Sequence, residues 1–345
     1  MTALGRPYPR SVRAWVVHQP GPMATGPLQL TERPVPEPGP GQLLLKIRCC
    51  GVCRTDLHLA EGDLPPKRPE VTPGHEVVGV VDALGPGATR FRTGNRIGVP
   101  WLGGTDGSCR FCRRGAENLC LHPTFTGWDV DGGYAEFCLV REEYAYVLPE
   151  AVPDEHAAPL LCAGIIGYRA FRAAAVPPGG SLGIYGFGGS AHLAAQLALA
   201  EGMRVHVRTR GTANRDLALS LGVDSAGDST DELPEPLDGA VTFAPVGELV
   251  PVALRALDRG GTLAVAGIYL SDIPVLDYDR ELFQERRLRS VTANTRADGE
   301  EFLRLAARHR IRSTTVPYGF DRADQALADL SHGRFAGAAV LRLPG

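Results

Sequence analysis

The feature that most constrains this chain is a glycine turn, Gly186-Phe187-Gly188-Gly189-Ser190-Ala191, set between a short apolar run at Ser181–Tyr185 and a stretch at 192–201 with helical apolar spacing. In a G-x-G-x-x-A turn the first glycine permits the tight bend and the second lets backbone approach a pyrophosphate. The small third residue lets the helix pack on the strand, with the helix N-terminus facing the anion. A glycine triplet by itself also suits any strand-to-helix turn. Here the alternation continues: strand-like runs at 204–207, 240–243, 262–266 and 288–292, with helical spacing at 215–221 and 249–257. Alternating β and α segments predict an α/β architecture, a doubly wound parallel sheet of the Rossmann type over about 160–295. Gly186, Gly188 and Gly189, with Ala266 and Ile268 around the end of a later strand run, are the candidate cofactor contacts.

The second strand of that pattern bears on the cofactor. An acid roughly 20 positions past the glycines would bind the ribose 2′-hydroxyl of NAD. This chain has Arg208-Thr209-Arg210 instead. Thr209 can donate a hydrogen bond and Arg210 can pair with a 2′-phosphate, which an acid would repel. NADP is therefore expected in preference to NAD. The plainer alternative makes Arg208 and Arg210 surface arginines at a strand end.

The first 150 residues have a different rhythm. Short apolar runs at 43–48, 77–83 and 134–140 are separated by Gly/Pro-rich connections at 34–41 and 85–87. This predicts an irregular β-rich domain. The tail at 314–343 also reads as β-containing and is expected to return to it. The expected division is 1–159 with 296–345 as one domain and 160–295 as the other, in keeping with 345 residues.

A formal charge of −3 gives no electrostatic footprint for nucleic acid or an anionic membrane. No apolar run approaches the roughly 18 residues of a membrane span. Residues 1–13 hold Arg6 and Arg10 but no apolar core, so no secretion signal is read and a cytoplasmic location is expected. The mixed charges at 277–289 read as a solvated helix face. In that setting the eight cysteines are better explained as metal ligands or catalytic groups than as disulfides.

Three cysteine- and histidine-bearing segments, each unremarkable alone, stand out together. Residues 49–58 read CCGVCRTDLH, 74–76 read GHE and 160–164 read LLCAG. In order and spacing they resemble the zinc-dependent alcohol dehydrogenases of the medium-chain dehydrogenase/reductase family, over nearly the whole chain. The resemblance implies a GroES-like catalytic domain beside the Rossmann domain, with Cys53, His75 and Cys162 on a catalytic zinc. Two thiolates and an imidazole balance the charge of Zn²⁺, and three protein ligands leave a fourth position open. An alcohol oxygen there loses its proton near neutral pH.

The resemblance further implies that Thr55 receives the alcohol proton, that His58 ends a relay toward solvent, and that Asp56 orients His75. Glu76 would be an acid near the zinc, Arg54 a pyrophosphate contact, and Trp101, with Leu64, part of the substrate pocket. For His58 the alternative is an exposed turn histidine. For Glu76 it is a buried acid paired with a base. Cys49 and Cys50 are read as core thiols. In relatives a lobe carries a structural zinc on C-x2-C-x2-C-x7-C; here the first position is Asp106, followed by Cys109, Cys112 and Cys120. The expected set is three cysteines and one aspartate, giving two zincs per subunit; the alternative is a loop without metal. Ala338 stands where some relatives place a pyrophosphate-binding arginine. The substrate implied is a small alcohol, aldehyde or ketone, and the assembly a homo-dimer or homo-tetramer. The rival readings are a zinc-independent quinone or enoyl reductase, and a non-catalytic NADP-binding redox sensor using the lobe thiols.

Overall fold

The structure is a computed structural model and describes residues 11–344; Arg6 and Arg10, used above in the reading of the N-terminus, lie outside them. The chain divides into two compact units. One runs to Cys162 and takes in Ala293–Leu303 and the chain from Arg312 on; the other comprises Ala163–Thr292 with Arg304–Ile311.

The first unit is built on a seven-stranded sheet. Its longest strand, Gln42–Val52, carries the run LLLKIRCCGV and continues through both cysteines, four residues past the expected 43–48. It extends because it has partners on both sides. Cys49 and Cys50 lie opposite Val78 and Val77 of strand Val77–Leu84, and opposite Arg342 and Leu341 of strand Ala338–Arg342. The tail strand Ala338–Arg342 thus closes one side of the sheet, with Thr315–Gly319 outside it. Phe137–Arg141 pairs with the first half of Gln42–Val52. Leu43, Leu45, Ile47, Val77, Val81, Ile97 and Val99 form the core. Each such aliphatic side chain contributes about 1.5–3 kcal/mol on burial.

The second unit is a six-stranded, all-parallel sheet. Its strand order is Ser225–Gly227, Arg204–Arg208, Ser181–Tyr185, Leu237–Thr242, Leu257–Val265, Arg287–Ser290. The chain starts in the middle, winds outward one way and then returns to wind the other, which is the doubly wound Rossmann pattern. Ser181–Tyr185 is buried at all five positions, as a central parallel strand covered on both faces must be. Helices Gly189–Ala200, Thr212–Ser220 and Leu249–Ala256 follow where the periodicity places them.

The segment 277–289 differs from its sequence reading. It forms one helical turn, Tyr278–Glu281, and then the edge strand Arg287–Ser290. Glu281 is buried, bonded to Arg255 at 2.6 Å and to the Asp277 amide at 2.7 Å. Arg287 and Arg289 are exposed on this strand, which lies at the edge of the sheet. Among the described residues no helix is long and apolar enough to cross a membrane.

Candidate functional site

The sheet of the first unit brings together a cluster of candidate metal ligands. Because Cys50 pairs with Val77, the end of one strand, leading to Cys53, lies beside the start of the other, which His75 immediately precedes. Cys162 follows the short 3-10 turn Ala158–Leu161. One sulfur from each cysteine and one ring nitrogen of His75 all lie within 4.8 Å of one another.

Asp56 orders this cluster. Residues 54–58 form the start of helix Arg54–Glu61, with Cys53 at the N-cap. The reason is a capping interaction: Asp56 Oδ2 accepts the Cys53 backbone N–H at 3.0 Å. Asp56 Oδ1 accepts the Gly74 N–H at 3.0 Å and meets His75 Nδ1 at 3.0 Å. Both side chains are 1% exposed. Burial opposes charge on the imidazole, but the Asp56 carboxylate outweighs it and lifts the ring's proton affinity well above the usual histidine range. The same donation strengthens a metal ligand. With Nδ1 engaged, the buried Nε2 of His75 has no hydrogen-bond partner. A buried polar atom without a partner calls for an explanation, and a Zn²⁺ held with two sulfurs supplies one. The Cys162 thiol donates to Cys53, which holds the Cys53 thiol below its ordinary range and raises that of Cys162.

Around the cluster, Thr55 is buried with its Oγ1 3.8 Å from Cys53 Sγ. His58 lies in the last turn of the same helix, 13% exposed, with Nδ1 2.9 Å from Asp63 Oδ2. It is therefore neither exposed nor in a turn. Arg54 is exposed. Glu76 is buried, its carboxylate packed over Gly51 so closely that an added Cβ there would overlap it. Cys49 and Cys50 are buried, as read. Trp101 lies 6.2 Å from His75 between ring centroids and stacks on Phe125 at 4.2 Å, with Trp128 at 5.7 Å from Phe125. The sequence reading missed Phe125, Trp128 and the buried Tyr134, whose hydroxyl is 3.3 Å from Asp56 Oδ2. Their places depend on loops that nothing in the local pattern ties to His75.

Asp106, Cys109, Cys112 and Cys120 form the second cluster, again with ligand atoms within 4.8 Å. Asp106 Oδ1 accepts the backbone N–H groups of Cys109 at 2.8 Å and Ser108 at 2.9 Å, which hold its carboxyl far below the usual range. The N–H groups of Asp106 and His122 both point at Cys120 Sγ at 3.4 Å. A carboxylate and three sulfurs, some already receiving N–H donors, suit Zn²⁺.

In the second unit the glycine turn sits at the carboxyl ends of the central strands, where ligands of such sheets bind. Gly186 has φ +84° and donates its N–H to Arg208 O at 2.8 Å; a Cβ there would strike Ala244. A Cβ on Gly188 would meet open space. Gly189 begins the helix. Thr209 is buried and Arg210 exposed at the end of the neighbouring strand. Arg208 is no surface arginine: it is 4% exposed, clamping Val207 O, Asp231 O and Glu232 O at 2.6–3.0 Å. Ala266 and Ile268 follow strand Leu257–Val265, with Ala266 N–H on Thr242 O at 2.9 Å. Ala338 is buried in its strand.

Residues 39–150 match the alcohol dehydrogenase GroES-like domain family, and 189–308 the zinc-binding dehydrogenase family. The chain is 57% identical to a probable alcohol dehydrogenase of Mycobacterium tuberculosis (strain CDC 1551 / Oshkosh), over 96% of this chain and 97% of that protein. It is 35% identical to an alcohol dehydrogenase of Geobacillus stearothermophilus, over 92% and 96%. Among solved structures, a cinnamyl alcohol dehydrogenase from Sorghum bicolor matches with a TM-score of 0.88 at 28% identity, covering 96% of this chain and 97% of that one. An acetophenone reductase from Geotrichum candidum in complex with NAD matches with a TM-score of 0.88 at 26% identity, covering 98% of each. Sequence identity sustained across both units, on the same fold, makes this chain a member of the zinc-dependent alcohol dehydrogenases of the medium-chain dehydrogenase/reductase family.

Proposed function

We propose that this chain oxidises an alcohol, or reduces the matching aldehyde or ketone, at Cys53, His75 and Cys162, with NADP preferred over NAD. The observation that carries the reading is the convergence of those three ligand atoms, with Asp56 on the far side of the His75 ring. Zinc bound there would acidify the alcohol, and the nicotinamide would exchange the hydride. The protein's residues do the rest. Cys53 Sγ, Cys162 Sγ and His75 Nε2 hold the metal and leave one position for substrate oxygen. Thr55 Oγ1 takes the alcohol proton, and His58, held by Asp63, passes it toward solvent. Glu76 is the buried acid near the metal, and Trp101 lines the space for the organic part of the substrate.

Gly186, Gly188 and Gly189 admit the pyrophosphate, joined by Arg54. Ala266 and Ile268 contact the cofactor from the next strand end. Thr209 and Arg210 receive the 2′-phosphate; Arg208, committed to three carbonyls, is left out of that role. Asp106, Cys109, Cys112 and Cys120 hold a second zinc that pins the lobe. The protein works as a dimer or tetramer.

The test measures zinc content, a substrate panel and KM for both cofactors on one sample. The expected outcome is two zincs per chain, chelator-sensitive oxidation of alcohols and a lower KM for NADP. A lower KM for NAD overturns the role of Arg210. One zinc per chain, lost on Cys53→Ser, removes the lobe site. Turnover that survives removal of zinc points to the quinone or enoyl reductase reading. No turnover of any alcohol or aldehyde points to a redox sensor.

A further inference from the structure

We propose that Tyr134 is a positioning residue of the metal centre, its hydroxyl fixing the Asp56 carboxylate that in turn holds the His75 ring. The proposal rests on the reading of Cys53, His75 and Cys162 as zinc ligands. Tyr134 is fully buried, and its O–H donates to Asp56 Oδ2 at 3.3 Å. Burial, with the nearby Asp56, raises its proton affinity well above the usual tyrosine range, so the phenol stays protonated and acts as a donor.

Asp56 thereby receives four hydrogen bonds, two on each oxygen: Gly74 N–H and His75 Nδ1 on Oδ1, Cys53 N–H and Tyr134 Oη on Oδ2. That fills the acceptor capacity of a carboxylate. The carboxylate is then fixed against rotation about its Cβ–Cγ bond. Without the phenol, Oδ2 keeps one donor, and the orientation of the His75 ring is less well determined.

The backbone supports the same arrangement. Gly132, Gly133 and Tyr134 donate their N–H groups to Thr72 O, Gly74 O and Pro73 O at 2.8–2.9 Å. Tyr134 is therefore zipped onto the strap that ends at His75. The fit is close: at Gly74, with φ +101°, a Cβ would run into the Tyr134 ring. Hydroxyl, carboxylate, imidazole and strap form one hydrogen-bonded unit. Partners that orient metal ligands typically change metal affinity by about 10–100-fold when removed. Tyr134 acts one bond further out, so the lower end applies.

The experiment is chelator competition on the zinc-loaded enzyme and the visible spectrum of the cobalt-substituted enzyme, for Tyr134→Phe and Tyr146→Phe. Tyr146 is the matched control: a buried tyrosine of the same unit, whose hydroxyl lies 3.3 Å from Asn294 Nδ2. The expected result is zinc held about tenfold more weakly in Tyr134→Phe, a shifted cobalt spectrum, and wild-type behaviour in Tyr146→Phe. Wild-type zinc affinity and spectrum in Tyr134→Phe overturn the proposal. Equal losses in both variants also overturn it, because they report general loosening. A double variant with Asp56→Ala gives a second reading: Tyr134→Phe should add nothing once the acceptor is gone, and additive losses overturn the coupling. If Cys53→Ser retains the full zinc complement of the wild type, the ligand reading itself fails, and this proposal with it.

Discussion

Asp56 shows how much chemistry one side chain of this protein carries. It caps a helix, fixes the strap before His75 and orients the ring. Its role toward His75 was legible from the sequence because both lie in motifs shared with a known family. Its partner Tyr134 was not, because nothing in the pattern Gly132-Gly133-Tyr134 reveals a contact 78 positions away. Gly51 is a second case. Its importance is steric: a Cβ would overlap the buried Glu76 carboxylate. Gly51→Ala is expected to lower stability by about 1–3 kcal/mol, the usual cost of overpacking, and to displace Glu76. A wild-type melting temperature for Gly51→Ala would show that Glu76 has room to move.

At the level of elements, the alternation of the Rossmann unit was legible, since parallel strands and their helices announce themselves by length and period, but the short edge strand Ser225–Gly227 was not. Nor was helix Arg54–Glu61. A cysteine is not a usual N-cap, and the helix is too short for apolar spacing to show. The hairpin of Val12–Val17 and Leu28–Arg33 was also missed, as was helix Ala163–Ala174. The glycine turn yields the clearest prediction at this scale. Gly186→Ala must hold φ +84° with a side chain and push against Ala244. The left-handed conformation alone costs about 1–2 kcal/mol. NADPH binding, followed by fluorescence titration, should weaken at least tenfold while zinc content stays at the wild-type value. Undiminished binding would mean that the pyrophosphate lies elsewhere.

At the scale of the whole molecule, the chain is discontinuous: residues 293–303 return to the first unit after the Rossmann unit is built. Arg296 fastens that return. Its guanidinium and backbone N–H bond to Glu117 in the cysteine lobe, 179 positions earlier, at 2.7–3.1 Å. Burial alone would raise the Glu117 carboxyl, but Arg296 outweighs it, so the folded-state pKa lies below the ordinary glutamate value. By linkage the pair stabilises the fold fully above the unfolded pKa of about 4.3, and that contribution is lost as pH falls through the lower folded value. Arg296→Met should therefore lower stability at pH 7 by about 1–2 kcal/mol. That is less than for a fully buried pair, because the arginine side chain is 42% exposed. The difference from wild type should shrink below about pH 4. A difference that is constant from pH 7 to pH 3.5 in thermal unfolding would show that packing, not charge, is what Arg296 supplies.

The amino-acid sequence by itself determined the Rossmann architecture, through residue type and period, and singled out Cys53, His75 and Cys162 and the cysteine lobe, through their resemblance to family motifs, as the residues that the structure gathers into two clusters. Only the tertiary structure decided that Arg208 is buried rather than free for a phosphate, that Glu281 is buried against Arg255, and that Tyr134 completes the bonding of Asp56. Those outcomes depend on which loops and strands pack together. Burial and hydrogen-bond satisfaction are set by neighbours distant in the chain, and no local pattern encodes them.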